Sequence, residues 1–325
     1  MKGFAKALVV SAALALGLAA KAQEFPARTV TIIGSSAPGA MTDVLARSVG
    51  ERLSRKWGQP VVIEARPGAA YAVAASAVMR AAPDGYTLIA SELGMFTFQH
   101  FLYQPGERPF DGQTDFVPIS GMAAIPAALI VNPSVPAKTL AELVKLAKEK
   151  PGSITYGTGG PGTFPHLGVL MLERLAGVKF LAVHYRGVAP ALNDVTAGHV
   201  NMIVIGPSLA LPAYQAGKLS ILGVGSREPI AQLTNVPPIA SVAPGYSATV
   251  GFGLAAPKGT PKPVVDRINA DVQEILQDKE FQAKVLEPQL LRPMLGDAAQ
   301  FAAALRADSE LWQKIISETG VSLKP

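Results

Sequence analysis

The chain of 325 residues has no cysteine. That excludes a disulfide frame, a thiolate metal site and a cysteine nucleophile. Charged side chains are scarce at 16% and aromatic ones at 6%. With 49% hydrophobic residues the chain can bury a large core, so intrinsic disorder is excluded as well. No apolar run is long enough for a multi-spanning membrane protein. Lysine and arginine number 29 against 24 acids, a formal charge of +5, yet they form no dense block. A nucleic-acid partner is therefore disfavoured. The four histidines (His100, His166, His184 and His199) lack ligand spacing, and no G-x-S-x-G elbow occurs. Neither a metal nor any other cofactor is expected.

What is present starts with an address. Lys2 and Lys6 precede an apolar run, Ala7 to Ala20, followed by the small-x-small site Ala20-Lys21-Ala22. This reads as a secretory signal peptide over residues 1–22, cleaved after Ala22, and implies a periplasmic protein. The leader holds three lysines and no acid, so 26 bases against 24 acids leave +2 on the mature chain. No twin-arginine pair occurs, which points to export before folding and against a cytoplasmically loaded cofactor.

The mature chain alternates strands and helices twice over. Thr29 to Gly34 is rich in β-branched residues and reads as a buried strand. Thr42 is placed to cap a helix whose apolar stripe is Val44, Leu45, Val49, Leu53 and Trp57, ended by Gly58. Strands at 61–64 and 86–91 follow, with an Ala-rich helix between them. The same order returns: a strand at 153–156, a helix from about 165 to 176, and strands at 179–184 and 200–205. Thr139 with Glu142 forms a capping box for a helix over 139–150. Such alternation predicts α/β lobes built on mostly parallel sheets flanked by helices. The expected division is 23–121 plus 228–325 for the first lobe and 122–227 for the second. Two crossings between lobes make a hinge.

Two loop-to-helix junctions carry the chemistry. Ser35 to Asp43 includes Ala37, Pro38, Gly39, Ala40, Met41 and Thr42; Gly157 to Thr163 includes Thr158, Gly159, Gly160, Pro161 and Gly162. Each follows a strand, and small side chains there let a ligand approach helix-terminal N–H donors. Two such junctions facing each other would trap a carboxylate without any arginine. Taken singly, each is equally an ordinary turn of a parallel sheet. His166 either lines the ligand or caps its loop. Ser91, Tyr71, Phe96, Phe98 and Phe164 lie in or after loops at strand ends, where open sheets bind ligands. Gly157, Gly159 and Gly162 also fit G-x-G-x-x-G, but the next strand ends in His184-Tyr185-Arg186, without the acid a dinucleotide site wants. A secreted α/β enzyme acting on a small carboxylate or ester, or a sensory receptor partner, are the rival readings.

The mature chain resembles the Bug family (TctC-like) of periplasmic solute receptors of tripartite tricarboxylate transporters. The stretches that carry the resemblance are Phe25 to Arg28 through Gly39, Thr42-Asp43 with Ala46-Arg47, Gly58 to Glu64, and Arg66 to Ala69. They continue at Ala82 to Leu88, Val131 to Ala137, Tyr185-Arg186-Gly187 with Ala189 to Leu192, and Ala256 to Pro261. The resemblance implies a type II-like Venus-flytrap periplasmic-binding-protein fold with no enzymatic activity. It further implies a receptor, monomeric by default, that delivers a small organic carboxylate to membrane permease subunits. By that likeness Gly157 to Thr163 with His166 would hold the carboxylate, and Ala37 to Asp43 would contact it through backbone and water. The family often has an acidic residue where this chain has Ile205 and Gly206, and a Gly pair where it has Ala70-Tyr71. These departures, with the aromatic residues, favour an apolar or aromatic carboxylate over citrate or an amino acid.

Overall fold

The computed structural model describes residues 25–104, 106–226, 230–233 and 235–323. The expected leader and its cleavage point lie outside the described residues, as does residue 228, where the first lobe was expected to resume.

The chain opens with β1 (Val30–Gly34), α1 (Met41–Trp57), β2 (Val61–Ala65), α2 (Ala72–Met79), β3 (Thr87–Glu92) and α3 (Leu93–Thr97). β1 lies between β2 and β3 and is parallel to both. Leu45, Val49 and Leu53 bury one face of α1, while Val44, on the expected stripe, is exposed. Gly58 adopts φ 63° and donates its N–H to Ser54 O at 3.0 Å, ending the helix as its left-handed conformation allows.

A long strand, β4 (Phe116–Pro126), leads through Ala127 directly into β5 (Ala128–Val131). The second lobe then runs α4 (Leu140–Glu149), β6 (Thr155–Thr158), α5 (Phe164–Ala176), β7 (Leu181–His184), α6 (Val188–Ala197), β8 (Met202–Ile205), α7 (Leu211–Gln215) and β9 (Ser220–Val224). Its sheet order is β7-β6-β8-β5-β9, with β6 parallel to β7 and β8 and with β5 antiparallel to β8 and β9. The chain returns through β10 (Thr249–Pro257), α8 (Lys262–Gln277), β11 (Arg292–Pro293) and α9 (Ala298–Thr319). The first sheet is thus β11-β4-β10-β3-β1-β2, with β10 antiparallel to β3 and β4. Both sheets are mixed: parallel where crossover helices join the strands, antiparallel where the chain passes between lobes. The result is the expected two-lobe α/β fold.

The crossings meet at one place. Ala127 donates its N–H to Ala248 O at 2.9 Å and accepts Gly225 N–H at 2.7 Å, while Ala248 N–H reaches Gly225 O at 3.1 Å. Three chain segments are therefore tied by backbone bonds alone. Gly225 is required there by close approach, since a Cβ would lie 2.2 Å from Ala248 O. The segment before β10 packs on the second lobe, where the buried Tyr246 hydroxyl donates to Gly168 O at 3.1 Å. The last helix, α9, spans both lobes. Phe301 and Leu305 pack with Phe96 and Phe116, and Trp312, Ile315 and Ile316 pack with Leu167 and Met171. Arg174 of α5 pairs with Glu318 at its far end.

Candidate functional site

In the first lobe β1 ends at Gly34, and Ala37 to Ala40 lead into α1. The first amides of a helix have no intrahelical acceptor and sit at the positive end of its dipole. Ala37, Pro38 and Gly39 are exposed, Ala40 and Met41 half-buried. Gly39 N–H donates to Asp43 Oδ2 at 2.9 Å. Arg47 Nε donates to the same oxygen at 2.9 Å, and its Nη2 pairs with Oδ1 at 2.9 Å. The Arg47 hydrogen bond is the main reason the Asp43 carboxyl titrates below its usual range. An acid in the first turn is thereby paired within its own helix, and it takes up the Gly39 amide itself. Thr42 is not the cap. Ala40 holds that position, and Thr42 is buried with Oγ1 lacking a hydrogen-bond partner among the described residues.

In the second lobe Gly157 and Thr158, expected in the loop, are the buried last residues of β6. Thr158 Oγ1 accepts Gly160 N–H at 3.1 Å and lies 2.7 Å from His184 Nδ1. Thr163 occupies the cap position of α5, but its hydroxyl donates to Gly160 O at 2.7 Å and so pins the loop. Gly159 and Gly160 are half-buried. Gly162 has φ 70°, and a Cβ on it would meet Leu102 of the first lobe at 2.6 Å, so the two lobes touch at this loop. Gly162 N–H donates to His166 Nδ1 at 3.0 Å, which caps the loop and places the proton of the neutral ring on Nε2. Burial first, and His184 second, push the His166 pKa down to about 4. The ring is neutral at pH 7 and keeps Nε2–H as a donor.

Ser35 Oγ lies 2.7 Å from Ser91 Oγ, joining the ends of β1 and β3. A small cavity is bounded by Glu92 at the end of β3, Phe164 at the start of α5, and Trp312 of α9. Gly206, after β8, lies against Ile125 of β4, where a Cβ would approach to 3.2 Å. Ile205 is only 2% exposed and belongs to the core.

The aromatic lining expected from the sequence is largely absent. Phe96 is 1% exposed and meets Phe116 edge-on at 6.0 Å. Phe98 and Phe164 both pack edge-on against Trp312, at 5.3 and 5.8 Å. For Phe96 and Phe98 the reason is local: α3 starts at once after β3 and turns these rings into the core and onto α9. The argument for an aromatic ligand loses Phe96 and Phe98 accordingly. Tyr71 remains, half-buried, with its hydroxyl donating to Glu92 Oε2 at 3.0 Å. It closes a run of non-glycine residues at positive φ: Ala69 at 45°, Ala70 at 47° and Tyr71 at 73°. Such conformations cost on the order of 1 kcal/mol each. Glu92 was missed from sequence, although it is the only charge between Asp84 and Glu107. Asp308 and Trp312 lie too far along the chain for any motif to associate them with the cleft. Among the described residues no group of His, Asp or Glu is arranged to hold a metal ion. No helix among them is long and apolar enough to cross a membrane.

Residues 45–321 match the family described as the tripartite tricarboxylate transporter family receptor, TctC. The chain belongs to this receptor family. The UPF0065 protein of the tcbD-tcbE intergenic region from Pseudomonas sp. (strain P51) is 32% identical over 320 residues, 98% of this chain and 93% of its own length. BugT of Bordetella pertussis is 28% identical over 311 residues, 95% of each. Among solved structures, an R. palustris protein with adipate superposes with TM-score 0.82 at 31% identity, covering 92% of this chain and 99% of its own. MatC from Rhodopseudomonas palustris with bound malate gives 0.78 at 28% identity, covering 90% and 100%. As a TctC receptor the protein is a solute-binding protein and not an enzyme, and its family works in the periplasm.

Proposed function

We propose that this TctC receptor captures a small organic carboxylate between its two lobes and hands it to the permease subunits of a tripartite transporter. It acts in the periplasm as a monomer, after export and removal of residues 1–22. The observation that carries this reading is the pair of strand-to-helix junctions, one in each lobe, each opening a helix of more than three turns. With Asp43 held by Arg47 and His166 neutral, neither junction opposes a negative charge. The relatives solved with adipate and malate support the ligand class. Native mass spectrometry of the purified protein, followed by thermal shifts against a carboxylate panel, tests it. A carried-over mass of a small acid, with stabilisation by that acid, is expected. Turnover of a bound carboxylate, or stabilisation by none across the panel, would refute it.

A further inference from the structure

We propose that the second lobe carries a docking surface for the membrane permease, centred on α4, and that the permease face it meets is acidic. This rests on the transporter reading above and extends it to the partner. Charge is divided unevenly between the lobes. Residues 127–226 hold eight lysines and arginines against four acids, whereas 25–126 with 235–323 hold 16 against 18. The excess gathers at α4. That helix buries Leu140, Leu143, Val144 and Ala147, and leaves Lys145, Lys148 and its capping residue Lys150 exposed. Lys179 joins them, because Gly152 N–H donates to Lys179 O at 2.9 Å. Lys148 and Lys150 have no ion-pair partner among the described residues, and Lys145 has only Glu149 at 3.9 Å. The neighbouring acids are already engaged. Glu173 is buried and accepts Phe180 N–H at 2.6 Å, and Glu318 pairs with Arg174.

The relief around α4 suits a protein partner. Lys148 borders two cavities. One, of about 520 Å³, lies where the ends of α4, α5 and α9 meet, and its lining includes Leu170, Arg174, Lys179 and Glu318. The other, of about 430 Å³, includes Ala141, Val144, Lys145 and Val242. Each combines cations with aliphatic side chains, so acidic groups of a partner gain a charge pair while their apolar neighbours gain burial. Neither is lined by an aromatic ring, the usual anchor at a lipid headgroup layer, so an acidic protein face fits better than an anionic membrane. The surface is also separate from the binding loops. β5 ends at Val131 opposite Met202, where β8 starts, and Lys179 precedes the start of β7. The α4 connection therefore lies at the end of the sheet away from the loop at 157–163. Positive charge concentrated on one lobe steers the receptor to approach an acidic face with that lobe leading.

A photo-cross-linking amino acid placed at Ala141 of α4, and separately at Val62 of β2, in the full chain made by its own cells tests the proposal, with adducts identified by mass spectrometry. An adduct from Ala141 with a permease subunit is expected, mapped to a segment rich in Asp or Glu. Lys148→Glu with Lys150→Glu, which breaks no ion pair among the described residues, should lower that yield at least about tenfold. Its Tm should stay within about 2 °C of wild type. Lys148→Arg with Lys150→Arg keeps the charge and should keep the yield. Adducts from Ala141 with phospholipid or with other proteins only, or a permease yield that survives the charge reversal, would overturn the docking surface. A permease adduct from Val62 alone would do the same and leave the transporter reading standing. No permease adduct from either lobe would count against the transporter reading itself.

Discussion

Gly225→Ala places a methyl where the crossing strands leave no room. Its Cβ would lie 2.2 Å from Ala248 O and 3.1 Å from Ala248 C, both backbone atoms that no rotamer change can move. Ala248 cannot retreat freely, because its carbonyl accepts Ala127 N–H at 2.9 Å and its own N–H reaches Gly225 O at 3.1 Å. Overpacking of this kind costs about 1–3 kcal/mol. A weakened backbone hydrogen bond adds about 1 kcal/mol. A total of about 2–4 kcal/mol lowers Tm by about 4–8 °C for a chain of this size. Scanning calorimetry measures the drop directly. Small-angle scattering with and without ligand should also show a smaller compaction than in the wild type, since the strained site lies where the chain crosses between lobes. A melting temperature within about 1 °C of wild type would refute the view that these backbones are packed to their limit.

Thr163→Ala removes the hydroxyl that pins Gly160 O, and should weaken ligand binding about tenfold in titration calorimetry with little change in Tm; unchanged affinity would remove the second loop from the site. His166 has a folded pKa of about 4, below the ordinary value of 6.5, so the unfolded chain binds more protons between those limits. Its contribution to stability is whole above about pH 6.5 and is lost as pH falls towards 4, about 3 kcal/mol in all. His166→Gln should flatten the fall of Tm over that window, and an unaltered slope would contradict the assignment. Trp312→Ala should cost about 3–5 kcal/mol by chemical denaturation, because the 2%-exposed ring joins Phe98 to Phe164. Faster hydrogen exchange in α5 is expected with it; exchange confined to α9 would argue against a bridging role.

The parallel halves of both lobes were legible because their signals are local. Strand runs such as 30–34 and 61–65 are β-branched, and the helix expected from about 165 to 176 is observed at Phe164–Ala176. Thr139 accepts Glu142 N–H at 3.2 Å as a cap should, although the Glu142 carboxylate accepts Lys138 N–H instead of closing the box on Thr139. The outward crossing, β4 and β5, was not legible as strands. Phe116 to Asn132 carries prolines and no alternation, since β4 is buried deep in its sheet and its partners come from residues 249–257. At the site, the loops were placed correctly in kind but shifted: β6 runs two residues further than expected and absorbs Gly157 and Thr158. Orientation was the harder property. Whether Phe96 points to a ligand or to Phe116 depends on how soon α3 starts, and proximity to a strand end does not decide that. Glu92, Asp308 and Trp312 meet only because α9 returns across both lobes.

That last helix has a bearing on biogenesis. A nascent chain lacking α9 has neither Phe301 and Leu305 to seal the sheet that carries Phe96, nor Trp312 and Ile316 to seal the other half. Stable docking of the halves must therefore await the final stretch to be synthesised.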